Sequence, residues 1–458
     1  MLTKKLDFNA PFVVRWLVIL IALVFTVFTY YEWNALGSEL GDQILTQHYD
    51  LSTSISTKIE ADVDPEKYRE VFSVSTADKK YFLIDFINWQ SINPNIIPHP
   101  TLKNTWVIVA QRHNLGLPDQ TIFIELVCNA TFQKGVLRCL DSPVDLPIAS
   151  TFGDKCIGDL TWFTLSKGPH DGRVFYGPQS PYTVFGSNSM FTCFGQVVQD
   201  FRSLMDWGET SSPDTGFENA TEIQRPPPYG TIEKNWFLFW DHNGQIYAHY
   251  DVSPKRVFAK LEIDGSVGED LAPRAAVKGD DKCMEKYMPH VGPDHESIHQ
   301  ATNSLSVTLC KRSDPTCKPT DLNTFIFTIF QTKIYHSFHS TYEPYVMLFE
   351  QKAPFKVHGI STKPFWIHGR GKPNEVKMQN ELVRQGVQNA KEEVKIWYWN
   401  QTEMMYITSL SWKSHAQKYH GYIDDVVFLA FGIEDFQSAG IDVVVGDLLL
   451  DIGYCLSS

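Results

Sequence analysis

Residues 233–257 read EKNWFLFWDHNGQIYAHYDVSPKRV. Trp236–Trp240 is an unbroken run of strand-forming residues. The Asn243-Gly244 pair that follows tolerates positive φ and predicts a tight hairpin, with Gln245–Tyr250 as the return strand. Pro254 cannot donate to a ladder and marks the turn to a third strand. There Val257, Ala259, Leu261 and Ile263 alternate with Lys260 and Glu262, the period of a half-exposed strand. Three short antiparallel strands are therefore expected. Their composition raises a question, because Lys, Asn, Asp, His and Arg side chains stand between the aromatics.

The same format recurs. FIFTIF, a polar QTK, IYHSFH, a turn STYEP and the strand YVMLFE make a second copy over residues 325–350. In both copies the proline falls roughly 18–19 residues after the first strand begins. VKIWYW, NQTE and MMYITSLSW open another copy near residue 394, and WVIVAQ and TIFIELVC an earlier one over residues 106–128. Several antiparallel sheets of similar layout fit a β-propeller better than a sandwich, which needs fewer strands. The expected fold is mainly β.

Composition narrows the function. Of 458 residues, 30 are Phe, 19 Tyr and 12 Trp. Rings of this kind stack on sugar faces while polar neighbours take the hydroxyls. A formal charge of −13 speaks against nucleic acid, which needs clustered cations against its phosphates.

The N-terminus bears on location. Phe12 to Tyr31 reads FVVRWLVILIALVFTVFTYY, about the length that crosses a bilayer. Lys4, Lys5 and Arg15 lie on its upstream side, and Glu32, Glu39 and Asp42 follow it. The positive-inside rule leaves the N-terminus cytosolic and the remainder lumenal or outside. The bulky YYEW makes a poor cleavage site, so residues 12–31 read as a signal anchor rather than a cleaved signal peptide. The expected organisation is a cytosolic tail (1–11), the anchor (12–31), a polar stem (32–80) and a catalytic domain (81–458). Within the stem, Asp62-Val-Asp64 has the form of a metal-holding Asp-x-Asp, but it lies in a polar, acidic stretch instead of ending a buried strand, and it is read as chance. Sequons at Asn129, Asn219 and Asn400 suit this topology. Eight cysteines in an oxidising lumen should mostly pair, and Cys310 and Cys317, flanking KRSDPT, are the best placed. No zinc-type cysteine spacing is present.

The C-terminal run YHGYIDDVVFLAFGIEDFQSAGIDVVVGDLLLDIGYC, the stretch HQATNSLSVTLC (His299–Cys310) and the EKNW…P-K-R-V segment together resemble the fungal β-1,2-mannosyltransferases, glycosyltransferase family 91. The resemblance runs over most of the chain after the stem, and its tail is the specific part. It implies a type II Golgi membrane enzyme that takes mannose from GDP-mannose and adds it in β linkage to mannan-type glycans. A more distant similarity is to glycoside phosphorylases that cleave β-mannosides on a five-bladed propeller, which carry a Glu-Asp-Pro-Arg signature and a downstream Lys-Asn segment. Gly168-Pro-His-Asp171-Gly-Arg173 followed by EKNW matches it at Asp171 and Arg173, with His170 for the Glu and Gly172 for the Pro. Asn93-Pro94 is a further, weaker match. The fold expected on this ground is a five-bladed β-propeller behind one transmembrane helix.

Chemistry assigns the candidates. An α-linked donor and a β-linked product require one inverting displacement, hence one general base and cations for the departing diphosphate. Asp171 is the first candidate base; Asp424 and Asp425, just before the buried run VVFLAFG, are the second, although aspartates also cap turns. Substrate-binding candidates are Arg173, Lys234, Asn235, Arg256, His299, Asn303, His339, His368 and His420, residue types suited to phosphate and hydroxyl groups. Glu434 and Asp435 read as turn acids that bind backbone or a sugar hydroxyl. No cofactor is expected, and without a credible Asp-x-Asp no metal is expected either. A phosphorylase or hydrolase on the same pocket, and a non-catalytic glycan-binding membrane protein, remain as alternatives.

Overall fold

The computed structural model describes residues 60–113, 122–207, 216–336, 339–373, 383 and 401–455. The anchor expected at 12–31 and the sequon at Asn400 lie outside them. The described chain is mainly β and arranged as antiparallel meanders. The first meander is Ser91–Pro98, Trp106–Arg112, Glu125–Gln133 and Val136–Cys139. The second is His170–Tyr176, Pro181–Asn188, Phe194–Asp200 and Thr221–Ile223. Phe237–Trp240, Ile246–Asp251 and Val257–Lys260 make a three-stranded sheet. Next come Leu305–Thr308, Thr324–His336, His339–Glu350 and Val357–Ser361, with Glu296–Gln300 also pairing along Thr324–His336. Met405–Trp412, Val426–Ile433 and Gln437–Val444 follow.

An N-terminal strand, Phe82–Asp85, closes the arrangement. It pairs antiparallel with Gln437–Val444 and parallel with Val136–Cys139, joining the last meander to the first in one nine-stranded sheet. Residues 60–80, expected to be stem, belong to the same unit, where Arg69–Val71 pairs parallel with Phe365–Ile367. Among the described residues no helix is long and apolar enough to cross a membrane.

The core lies between meanders, which is why many strands are apolar on both faces. In Trp106–Arg112, Trp106, Ile108 and Ala110 face Phe82, Leu126 and Phe428, while Val107 and Val109 face Val174 and Phe201. Phe237, Phe239, Phe258, Phe349 and Phe355 fill another such layer. Amide side chains tie neighbouring meanders where no ladder runs between them. Asn95 donates to the Gly172 carbonyl (2.7 Å) and accepts from the Val174 N–H (3.0 Å). Asn303 does the same with both backbone groups of Leu410 (3.0 and 2.9 Å), and Gln331 with those of Ile407 (3.3 and 3.2 Å). One amide supplies one donor and one acceptor, so it can stand in for a peptide group.

The opening stretch folds with two differences from expectation. Asp241 caps the hairpin by accepting from Asn243 and Gln245 N–H (2.9 and 2.8 Å), and of the Asn243-Gly244 pair only Gly244 takes positive φ (80°). The third strand also stops at Lys260. In the second copy the polar QTK lies within a strand, and STYEP is no turn. Residues 324–336 and 339–350 are two continuous strands, with Gln331 opposite Pro344. Pro344 is tolerated because the next strand, Val357–Ser361, pairs only with Met347–Phe349, so no ladder partner awaits the missing N–H. All eight cysteines pair, as Cys128–Cys139, Cys156–Cys193, Cys283–Cys455 and Cys310–Cys317.

Candidate active site

Asp171 lies one residue into His170–Tyr176, where the strand bulges between His170 and Arg173. Its backbone is left-handed, with φ 52°, a conformation Asp adopts more readily than most residues. Asn93, on the first strand of the first meander and itself at φ 54°, donates to Asp171 Oδ1 (2.5 Å). Arg173 folds back so that Nη1 donates to the Asp171 carbonyl (2.8 Å), while Nε reaches the Ala301 carbonyl (3.3 Å). Departures from ordinary backbone cluster at functional sites. Here Asn235 (63°) and Asp435 (44°) join Asn93 and Asp171 in the left-handed region.

Around Asp171 gather residues from four other meanders. Tyr406 is hydrogen-bonded to Arg173; burial raises its phenol, Arg173 opposes this, and Asp171 and Asp435 add to it. Tyr342 packs on Tyr406 with centroids 4.9 Å apart. Burial also raises Tyr342, followed by Tyr406, Asp435 and Asp171. Lys333 Nζ lies 5.7 Å from the Tyr342 ring and the His299 ring 6.2 Å from it. Burial lowers Lys333, Lys234 lowers it further, and Asp435 opposes. Burial and the Lys333 and Lys234 ammoniums push His299 down to about 4, so it is neutral at pH 7 and bonds Ser297 Oγ (2.8 Å). Neither lysine has an ion-pair partner among the described residues. The result is one half-buried carboxylate, an arginine, two lysines, two tyrosines and a neutral imidazole drawn from distant parts of the chain.

Asp171, Arg173, Lys234 and His299 are thus brought together. Asn235 adjoins them, its carbonyl held by Gln300 Nε2 (3.1 Å). The other candidates stand elsewhere. Arg256 is fully buried and donates to Asp280 (2.6 Å), the Phe355 carbonyl (2.9 Å) and His249 Nε2 (3.3 Å). Asp424 accepts from Arg312 and Ser313 N–H (2.6 and 3.2 Å), and Asp425 takes the Arg312 guanidinium (2.9 and 2.7 Å) and the Tyr422 N–H (2.7 Å). Both aspartates therefore organise the turn before Val426–Ile433. His420 contacts Thr308 Oγ1 (2.8 Å) beside them. Asn303 is the inter-meander tie described above. His339 lies between Gln401 and Glu434 (2.6 and 3.1 Å), and His368 pairs with Glu70 (2.7 Å). Asn219 is exposed, whereas Asn129 sits half-buried within a strand with its amide oxygen buried.

Lys333, Tyr342 and Tyr406 carried no sequence signal, each being one polar position on a strand of apolar alternation. Among the described residues no group of three or more His, Cys, Asp or Glu is placed to hold a metal ion.

No family model matches the chain, and no curated protein does. Solved structures do align with it. A β-1,2-mannobiose phosphorylase from Listeria innocua is 10% identical, covering 86% of this chain and 98% of its own, at a TM-score of 0.41. A glycosyl hydrolase from Bacteroides ovatus is 10% identical over 84% and 96%, at 0.41. A GDP-Man-dependent mannosyltransferase from Leishmania mexicana is 8% identical over 80% and 89%, at 0.35. Likenesses this remote leave both the fold and the chemistry to be argued from the residues of this chain.

Proposed function

We propose that this chain is an inverting glycosyltransferase that moves mannose from GDP-mannose to a mannan or other mannose-containing glycan in β-1,2 linkage. The observation that carries this reading is the pairing of one strained carboxylate, Asp171, with two lysines that lack ion-pair partners among the described residues. Asp171 deprotonates the acceptor hydroxyl. Lys234 and Lys333 receive the diphosphate as it departs. Arg173, braced by backbone carbonyls and Tyr406, steadies Asp171, and the exposed edge of the tyrosines meets the sugars. No step of this scheme requires a metal. We read the meanders as five propeller blades closed by Phe82–Asp85, an arrangement that would bring inner strands and their loops to one axis. The four disulfides suit the lumenal side of a Golgi membrane, with residues 12–31 as the anchor.

A β-mannoside phosphorylase is the second reading, because the two lysines would hold inorganic phosphate equally well. It needs a protonated acid at the leaving oxygen. Burial pushes the Glu125 carboxyl up to about 8, but it is 1% exposed and walled off by Gly172, so it cannot serve. Incubating the full chain with GDP-mannose and mannan, or with mannobiose and phosphate, separates the two. Asp171→Asn should lower kcat by about 100-fold or more while GDP-mannose still binds. Full activity in that variant removes Asp171 from the scheme.

A further inference from the structure

The bulge that turns Asp171 out of its strand takes the Asp171 and Gly172 amides off the ladder, and side chains of the first meander accept from both. Gln111 Oε1 accepts from the Asp171 N–H (2.9 Å) and Glu125 Oε1 from the Gly172 N–H (2.9 Å). Gln111 and Glu125 are direct cross-strand partners, so one pair of neighbours replaces the missing ladder. The fit is close: a Cβ on Gly172 would lie 2.9 Å from Glu125 Cδ. Glu125 Oε2 is buried with no hydrogen-bond partner.

We propose that Glu125 is a positioning residue for Asp171: by accepting from the Gly172 N–H it fixes the left-handed turn that directs the Asp171 carboxylate to Asn93. This rests on Asp171 being the reacting carboxylate. Glu125 does this as a neutral acid, which grips the amide without setting a second negative charge against Asp171. Burial pushes it up to about 8; the Gly172 N–H opposes, the Asp171 charge adds, and Arg173 opposes. Asp171 and Arg173 are the charged groups facing it, and Gln111 alongside is neutral.

Glu125→Gln keeps the acceptor and the volume but cannot ionise. Its kcat at neutral pH should stay near that of wild type, while the loss of activity as pH passes about 8 should disappear. Glu125→Leu should lower kcat by about 100-fold with the donor KM little changed, the scale set by misplacing a reacting group by about 1 Å. Unfolding reads the same group without turnover. The folded value is raised above the ordinary 4.5, so its stabilisation is full below 4.5 and lost as pH rises through about 8. The thermal midpoint of wild type should fall across that window and that of Glu125→Gln should fall less. A Glu125→Gln enzyme that keeps the alkaline limb, or one as inactive as Asp171→Asn, overturns the proposal. Should wild type turn over no mannosyl donor, the transferase reading fails while positioning stays open to a crystal structure of Glu125→Leu. Asp171 still left-handed and bonded to Asn93 in that structure would refute it.

Discussion

Lys234 and Lys333 approach one another from different meanders, and the second is lowered first by burial and then by the first. Asp435 offsets the repulsion between the two ammoniums only in part, and a dianion between them relieves the rest. Lys234→Ala and Lys333→Ala should each raise the KM for GDP-mannose by about 10- to 100-fold, the range of one charge-assisted hydrogen bond, with kcat less affected. Steady-state kinetics at fixed ionic strength checks this, and an unchanged KM in both variants would remove the lysines from the donor site. Half of this pair was visible in the sequence. Lys234 stands beside Asn235 in a motif-bearing segment, and Asp171 and Arg173 stand in another. Lys333 was hidden because QTK reads only as a polar break between two apolar runs. A continuous strand that carries Lys333 between Tyr342 and Ser297 on its two neighbours looks no different in one dimension.

At the level of elements, polar residues that read as a site can serve packing instead. SPKRV presents Arg256 as a phosphate cation, but its partner is Asp280, at the start of the helix Asp280–Tyr287. Asp280 also accepts from the Val357 N–H (2.7 Å), so one buried pair joins the three-stranded sheet, the helix and the neighbouring meander. This answers much of the compositional puzzle of residues 233–257. Lys234 and Asn235 stand at the candidate site, Asp241 caps the hairpin, Asp251 pairs with Arg225 (2.6 Å), and His249 and Arg256 form a network with Gln300. Asp280→Ala leaves the guanidinium buried without its partner and should cost about 3–5 kcal/mol. The double variant Arg256→Met with Asp280→Leu should recover most of that loss. Equilibrium denaturation decides it. A single variant within about 1 kcal/mol of wild type would mean that the pair is solvated and contributes little.

Over the whole molecule, the repeats of apolar runs foretold antiparallel meanders but not how the chain closes on itself, because closure depends on four residues, Phe82–Asp85, that resemble any short strand. They complete the last meander and touch the first. Phe82 carries that junction: it is 2% exposed and meets Phe132 and Phe428 at centroid distances of 4.9 and 5.8 Å, one ring from each side. Deleting a buried Phe ring costs about 3–5 kcal/mol. The form of the loss is as informative as its size. If the strand closes a single cooperative unit, Phe82→Ala should lower the calorimetric midpoint while the protein still unfolds in one transition, and the site residues on both meanders should lose order together. Asn93 lies on the first meander and Tyr406 on the last, so turnover should fall with the same midpoint. An early separate transition confined to one meander, with activity persisting above it, would show that the junction is local and that Asn93 and Tyr406 are held in place without it.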